Sequence, residues 1–116
     1  MPLRQPYGAR RYNEPIELTY SEAVVDDYGH AEMGKPVVVG EAYAYVRQMS
    51  AAKTMATFQQ MDAIGLEIEM RTPSVRFNGL RYRGNDVYFA HPEDVGGRGR
   101  VIRMSGYYQM DHPKAL

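Results

Sequence analysis

In the stretch LEIEM, Leu66 to Met70, two glutamates stand two positions apart. On a strand that spacing puts the carboxylates of Glu67 and Glu69 on one face, where a pair can divide general-acid and general-base work. Any half-buried strand with a solvated acidic face shows the same spacing, and no further residue completes a catalytic constellation around them; a solvated face is the expectation. His30, His91 and His112 stand singly, in a turn, before a proline and near the C-terminus, without the short ligand spacings of metal sites, and are expected at the surface. Glu22, Asp26, Asp27 and Glu32 could gather oxygens around a calcium ion. They lack the regular spacing of a dedicated loop, which favours a solvated acidic turn. With no cysteine there is no disulfide framework, thiolate zinc site or thiol nucleophile. The expectation is a protein that is not an enzyme and uses neither metal nor cofactor.

Two cationic stretches point elsewhere. RFNGLRYRG interleaves Arg76, Arg81 and Arg83 with Phe77 and Tyr82, and aromatic platforms beside cations are how small β-barrels hold single-stranded nucleic acid. The hairpin over 76–89 is therefore one candidate binding surface. Strand alternation favours the plainer alternative, with Tyr82 facing the core and Arg81 and Arg83 lining the outer face. VGGRGR, Val95 to Arg100, has the composition of disordered RNA-binding tails, but it is a single copy between two strand patterns. It reads as a turn in which Gly96, Gly97 and Gly99 supply backbone freedom, leaving Arg98 and Arg100 to touch a neighbour or a DNA backbone.

These residues sit in a chain of 116, enough for one domain with a modest core. The opening MPLRQPYGARRYNEP has arginines without a following apolar run, unlike a signal peptide. No apolar run approaches the roughly 20 residues of a bilayer span. A soluble protein made in the cytosol, with no membrane partner, is expected. Net charge is zero but polarised: residues 1–13 carry +3, residues 14–70 carry −7 and residues 71–116 carry +4. A duplex DNA binder would show a basic excess. A neutral, polarised chain suits self-association, with opposite-sign surfaces steering neighbouring copies.

Period-2 alternation dominates the positioning elements. Ile16, Leu18 and Tyr20 alternate with polar residues, and DDYGH, Asp26 to His30, turns the chain. Pro36 to Arg47 sets Ala42, Ala44 and Val46 against Glu41, Tyr43, Tyr45 and Arg47. From Ser50 to Met61 the alternation breaks: Ala51, Met55, Phe58 and Met61 recur at helical steps after an N-cap serine, predicting a short helix. Strand patterns resume over Ile64–Met70, stopped by Thr72-Pro73, then over Leu80–Tyr82 and Val87–Phe89 around a turn at Gly84–Asp86, and over Val101–Tyr108. The prediction is a mainly β fold: a small antiparallel β-barrel or sandwich of five to six strands, one inserted α-helix (about Ser50–Met61) and an extended N-terminal arm. The divisions are a basic arm over 1–13, one barrel domain over 14–109 and a tail over 110–116.

The order of elements from about Asn13 to Tyr108 resembles the head–tail joining (head-closure or adaptor) proteins of tailed bacteriophages. The likeness runs through the acidic-glycine turn DDYGH, the aromatic-alanine strand AYAYVRQMS, the alanine-rich helix AAKTMATFQQ and the strand LEIEMRT. It continues through the hairpin GLRYRGNDVYFA and the closing EDVGGRGRVIRMS. Tyr43 stands where the family often has tryptophan, and Ala52-Lys53 where it has an early glutamate. The resemblance implies a non-enzymatic virion protein: a barrel with an inserted helix, assembled as a six- or twelve-fold homo-oligomeric ring in the neck. The ring would lie beneath the portal or adaptor protein and above the tail terminator and tail tube proteins, with genomic DNA passing through without sequence specificity. It would close the DNA-filled head and carry the tail. Contact residues on that reading are Arg4, Arg10, Arg11 and Tyr12 in the arm, Lys53, Phe58 and Gln59 in the helix, Arg81 and Arg83 on the hairpin, and Arg98 and Arg100 toward a neighbour or the DNA channel.

Overall fold

The computed structural model describes residues 12–110; the readings of Arg4, Arg10 and Arg11 and of the tail from residue 111 lie outside them. In chain order the elements are β1 (Glu14–Tyr20), β2 (Ala23–Val25), β3 (Ala31–Met33), β4 (Val37–Gln48), α1 (Ala51–Phe58), β5 (Ala63–Arg71), β6 (Gly79–Tyr82), β7 (Asn85–Phe89), β8 (Glu93–Asp94) and β9 (Val101–Gln109). Six strands close an antiparallel barrel in the order β5-β4-β1-β6-β7-β9, sealed by β5 against β9 from Ala63↔Gln109 to Arg71↔Val101. Closure leaves no open sheet edge around the wall. Strand β8 adds a short flap on β9.

Alternation selects what fills the barrel. Ile16, Leu18, Ala44, Leu66, Ile68, Met70, Leu80, Tyr82, Val87 and Met104 form one buried cluster, the inward faces the strand patterns predict. The segment over 72–78 crosses one mouth of the barrel, bringing Val75 against Gly40 and Phe77 onto the core. By register, the β1–β4 connection, this segment and the 90–100 segment share that mouth. Helix α1 and the β6–β7 turn lie at the other.

Four local readings are corrected. The helix begins where expected, with the Ser50 side chain accepting from the Lys53 N–H at 3.1 Å, but it ends at Phe58 because Gln59 turns left-handed (φ 55). Its buried face is Thr54, not Met55 or Met61, which are 42% and 74% exposed. The reason is Gly65 on the outer wall of β5: a Cβ there would lie 2.5 Å from Thr54 Oγ1 and 2.9 Å from Met49 Sδ, so the helix seats closely on bare backbone. The β6–β7 turn is Arg83-Gly84, one residue early, with both φ values positive (50 and 80) as a two-residue I′ turn needs. Arg83 therefore leaves the outer face and lies over the Tyr82 ring, 5.1 Å from its centroid. The acidic-glycine turn is the tip of a separate hairpin, β2–β3.

VGGRGR joins β8 to β9 as a turn, its glycines at φ 84, 71 and 68. The Asp94 carboxylate accepts from the Gly99 N–H at 3.0 Å and holds it.

Candidate functional site

Glu67 and Glu69 share the outer face of β5, as their spacing requires, but neither is a solvated carboxylate. Glu69 has no exposure and Glu67 only 13%. Arg103, its cross-strand neighbour on β9, brings Nη2 to 2.7 Å and Nε to 3.2 Å from Glu69 Oε1. Tyr12 donates its hydroxyl to Oε2 at 2.6 Å. Burial, then the hydrogen bond to Glu69 and its charge, push the Tyr12 phenol well above its ordinary range. Around Glu67, Lys53 from the helix donates to Oε1 at 2.6 Å and Arg47 from β4 to Oε2. Burial raises the Glu67 carboxyl, but the hydrogen bonds and charges of Lys53 and Arg47 outweigh it and hold it below the usual carboxylate range. A carboxylate ionised this firmly is a poor proton shuttle at neutral pH; its work is to tie β4, β5 and the helix together.

Arg47, Lys53, Glu67, His91, Glu93 and Arg103 line a polar cleft of about 450 Å³ beside the helix. Its cations already face carboxylates, so it does not present an anion site. Phe58 stacks on Tyr107 (centroids 4.9 Å), and Tyr107 on Tyr88 (5.5 Å), extending the helix contact along the wall. Gln59 is exposed at the helix end.

The structure separates the remaining expected contact residues. Arg81 sits on the outer wall between Asp86 (3.3 Å) and Glu17 (3.9 Å), and Arg83 reaches Glu14 at 3.3 Å. Arg98 and Arg100 are exposed at the opposite mouth. Tyr12, Lys53 and Phe58 gather on the β5–β9 wall. Of the aromatics in the 76–89 hairpin, Tyr82 is buried, Phe77 and Phe89 are half-buried 6.3 Å apart, and Tyr88 is exposed on the wall against Tyr107; Arg76 lies over Tyr20. Tyr82 and Phe77, the rings interleaved with Arg76, Arg81 and Arg83 in the sequence, are thus not the exposed ones. Asp26, in the acidic turn, accepts from the backbone N–H groups of Tyr28 and His30, a turn cap.

Nor do the acidic and basic blocks form separate flanks. Glu14–Arg83, Glu17–Arg81 and Glu69–Arg103 join them within the molecule. Among the described residues, Glu22, Asp27 and Glu32 on the β2–β3 hairpin are left without an ion pair, as are Arg71, Arg98 and Arg100 across the same mouth. That hairpin is the feature the sequence reading missed. Its signal was present in Ala23-Val24-Val25 and Ala31-Glu32-Met33, two short β-prone runs flanking the turn.

No helix among the described residues is long and apolar enough to cross a membrane. No protein-family model matches the chain, and no curated protein matches it. Among solved structures the chain is similar to protein SF1141 from Shigella flexneri 2a, determined in solution, with a TM-score of 0.54 and 12% identity, covering 88% of this chain and 95% of that one. At that identity the likeness shows a shared fold.

Proposed function

We propose that the protein is a structural subunit of a tailed-phage neck, a ring-forming head–tail connector that closes the DNA-filled head below the portal and presents the platform for the tail. The observation that carries this reading is where the molecule leaves its unsatisfied surface. The barrel interior is filled by side chains, and on the outer wall Glu67 is paired with Arg47 and Lys53 and Glu69 with Arg103. The surface left open among the described residues includes an acidic apolar hairpin and a group of unpaired arginines at one mouth. Such surface serves contact with other protein copies, and two different surfaces on one subunit are what a heterologous, ring-closing contact needs. The closed barrel with a helix between β4 and β5 also agrees with the architecture that the sequence resemblance implies.

The test is genetic. Interrupting this reading frame in the phage or prophage that carries it is expected to yield DNA-filled or leaking heads without tails beside free, complete tails. Normal virions from the interrupted genome would contradict the proposal.

A further inference from the structure

The β1–β4 ribbon does not stop at the barrel mouth. After Ser21-Glu22 it continues as β2–β3, with Gly34 N–H donating to Glu22 C=O at 2.7 Å across the neck. From Tyr20 to Asp26 the extension reaches about 20 Å at a strand's rise per residue. All six residues of β2 and β3 are exposed, so neither face rests on the barrel. Val24, Val25 and Met33 are each about three-fifths exposed (58%, 64% and 63%), and Val37 at the root of β4 adds 63%. An isolated two-stranded ribbon is marginal in water, and apolar residues at this density on a projection mark a contact surface. Its charge is acidic: Glu22, Asp27 and Glu32 lack ion pairs among the described residues, while Asp26 faces His30 at 3.4 Å and Lys35 stands at the root.

The same mouth carries a complementary receptor on a different side. Between the crossing segment and the β7–β8 link lies an apolar groove of about 500 Å³, lined by Pro73, Phe77, Phe89, Pro92 and Ile102. Thr72, also in its lining, donates its N–H to the Arg100 C=O at 2.9 Å. This sets the Arg100 backbone beside the groove, with Arg98 in the same turn. Both arginines are exposed and have no ion pair among the described residues. The nearby Asp94 is turned onto the Gly99 N–H.

We infer that the β2–β3 hairpin of one copy docks in the Pro73–Phe77–Phe89–Ile102 groove of a second copy of this chain. Val25 and Met33, which share one face of the ribbon, enter the groove, while Glu22 and Glu32 on the other face and Asp27 at the tip meet Arg98 and Arg100 beside it. The hairpin arises between β1 and β4 and the groove lies on the far side of the crossing segment, so hairpin and receptor are different surfaces and the contact is head-to-tail. The contact names the neighbour-binding surface of the proposed ring subunit, and it rests on that reading only for closure into a ring.

A chain without cysteine makes the test direct. Val25→Cys on the hairpin and Ala90→Cys in the groove lining are both exposed substitutions. Under mild oxidation each single variant is expected to stay uncross-linked, their mixture to give a heterodimer and the double variant a ladder. Replacing Ala90→Cys by Met61→Cys, exposed just before β5 at the other mouth, should give no ladder. Reversing Glu22, Asp27 and Glu32 to Lys should slow cross-linking on the order of tenfold or more at low salt. Reversing Arg98 and Arg100 to Glu in the partner should restore it. Val25→Cys dimerising with itself as fast as with Ala90→Cys, or no heterodimer above the Met61→Cys control, overturns the inference. A ladder with no closed species supports the contact and counts against the ring. A closed assembly of the double variant in which Val25→Cys and Ala90→Cys do not cross-link overturns the contact and leaves the ring standing.

Discussion

Arg103 Nη2 lies 2.7 Å from Oε1 of Glu69, a carboxylate with no solvent exposure on the outer wall of a β-barrel. The pair sits where β5 and β9 close the barrel, and Tyr12 covers it by taking the second oxygen. Removing one partner exposes the cost of burying the other: Arg103→Met takes away the cation beside a buried carboxylate and is expected to cost about 3–5 kcal/mol. The double change Glu69→Met with Arg103→Met should cost less than Arg103→Met alone. Denaturant midpoints of the three proteins check this, and a double variant at least as unstable as Arg103→Met would contradict it.

Tyr12 ties the chain ahead of β1 to that pair, and its phenol is shifted upward first by burial and then by Glu69. The folded state holds the phenolic proton more tightly than the unfolded chain. The stabilisation is therefore complete below the unfolded phenol's pKa of about 10 and is lost as pH rises above it. The stability gap between the native protein and Tyr12→Phe, followed by urea unfolding from about pH 8 to about pH 11.5, should shrink toward zero at the alkaline end. A gap independent of pH would mean the hydroxyl is not held as described.

Glu67 works in the opposite direction. Its carboxyl is depressed, so its contribution is present above the usual carboxylate pKa of about 4.3 and is lost as pH falls through its lower folded value. Glu67→Gln should flatten the loss of stability between about pH 5 and about pH 3. Because Lys53 and Arg47 hold Glu67 from the helix and from β4, the acid-sensitive step should appear in a probe of helix docking before the barrel opens.

Gly65 admits the helix by lacking a side chain. Gly65→Ala places a methyl against Thr54 and Met49 and is expected to cost about 1–3 kcal/mol through overpacking. Adding Thr54→Ala removes the nearest atom and should recover part of that loss. The quenching environment of Tyr107, against which Phe58 rests, reports whether the helix has lifted.

Where burial follows strand period, the sequence was readable. Ile16, Leu18, Ile68, Met70, Leu80 and Met104 fell on the inward faces that alternation assigned. The closed barrel, the Ser50 cap and the glycine turn over 96–99 followed from residue type. What failed depended on contacts distant in sequence. Glu69 is buried because Arg103 and Tyr12 arrive from 34 positions ahead and 57 behind. The helix turns Thr54 inward because of Gly65, and Arg81 and Arg83 find acids on β1. The β2–β3 hairpin was hidden for a different reason: three-residue strands exposed on both faces carry no inside-outside alternation to read.

A ring subunit that stacks on a portal must form a ring when a portal is supplied. For the proposed connector, the direct measurement is the mass and symmetry of particles formed when the purified chain is mixed with portal rings encoded in the same genome, by native mass spectrometry and electron microscopy. The expected result is a coaxial ring of this chain with one discrete copy number, lost when Glu22, Asp27 and Glu32 are reversed. A chain that stays monomeric beside the portal, and instead binds single-stranded DNA with an affinity falling steeply in salt, would contradict it.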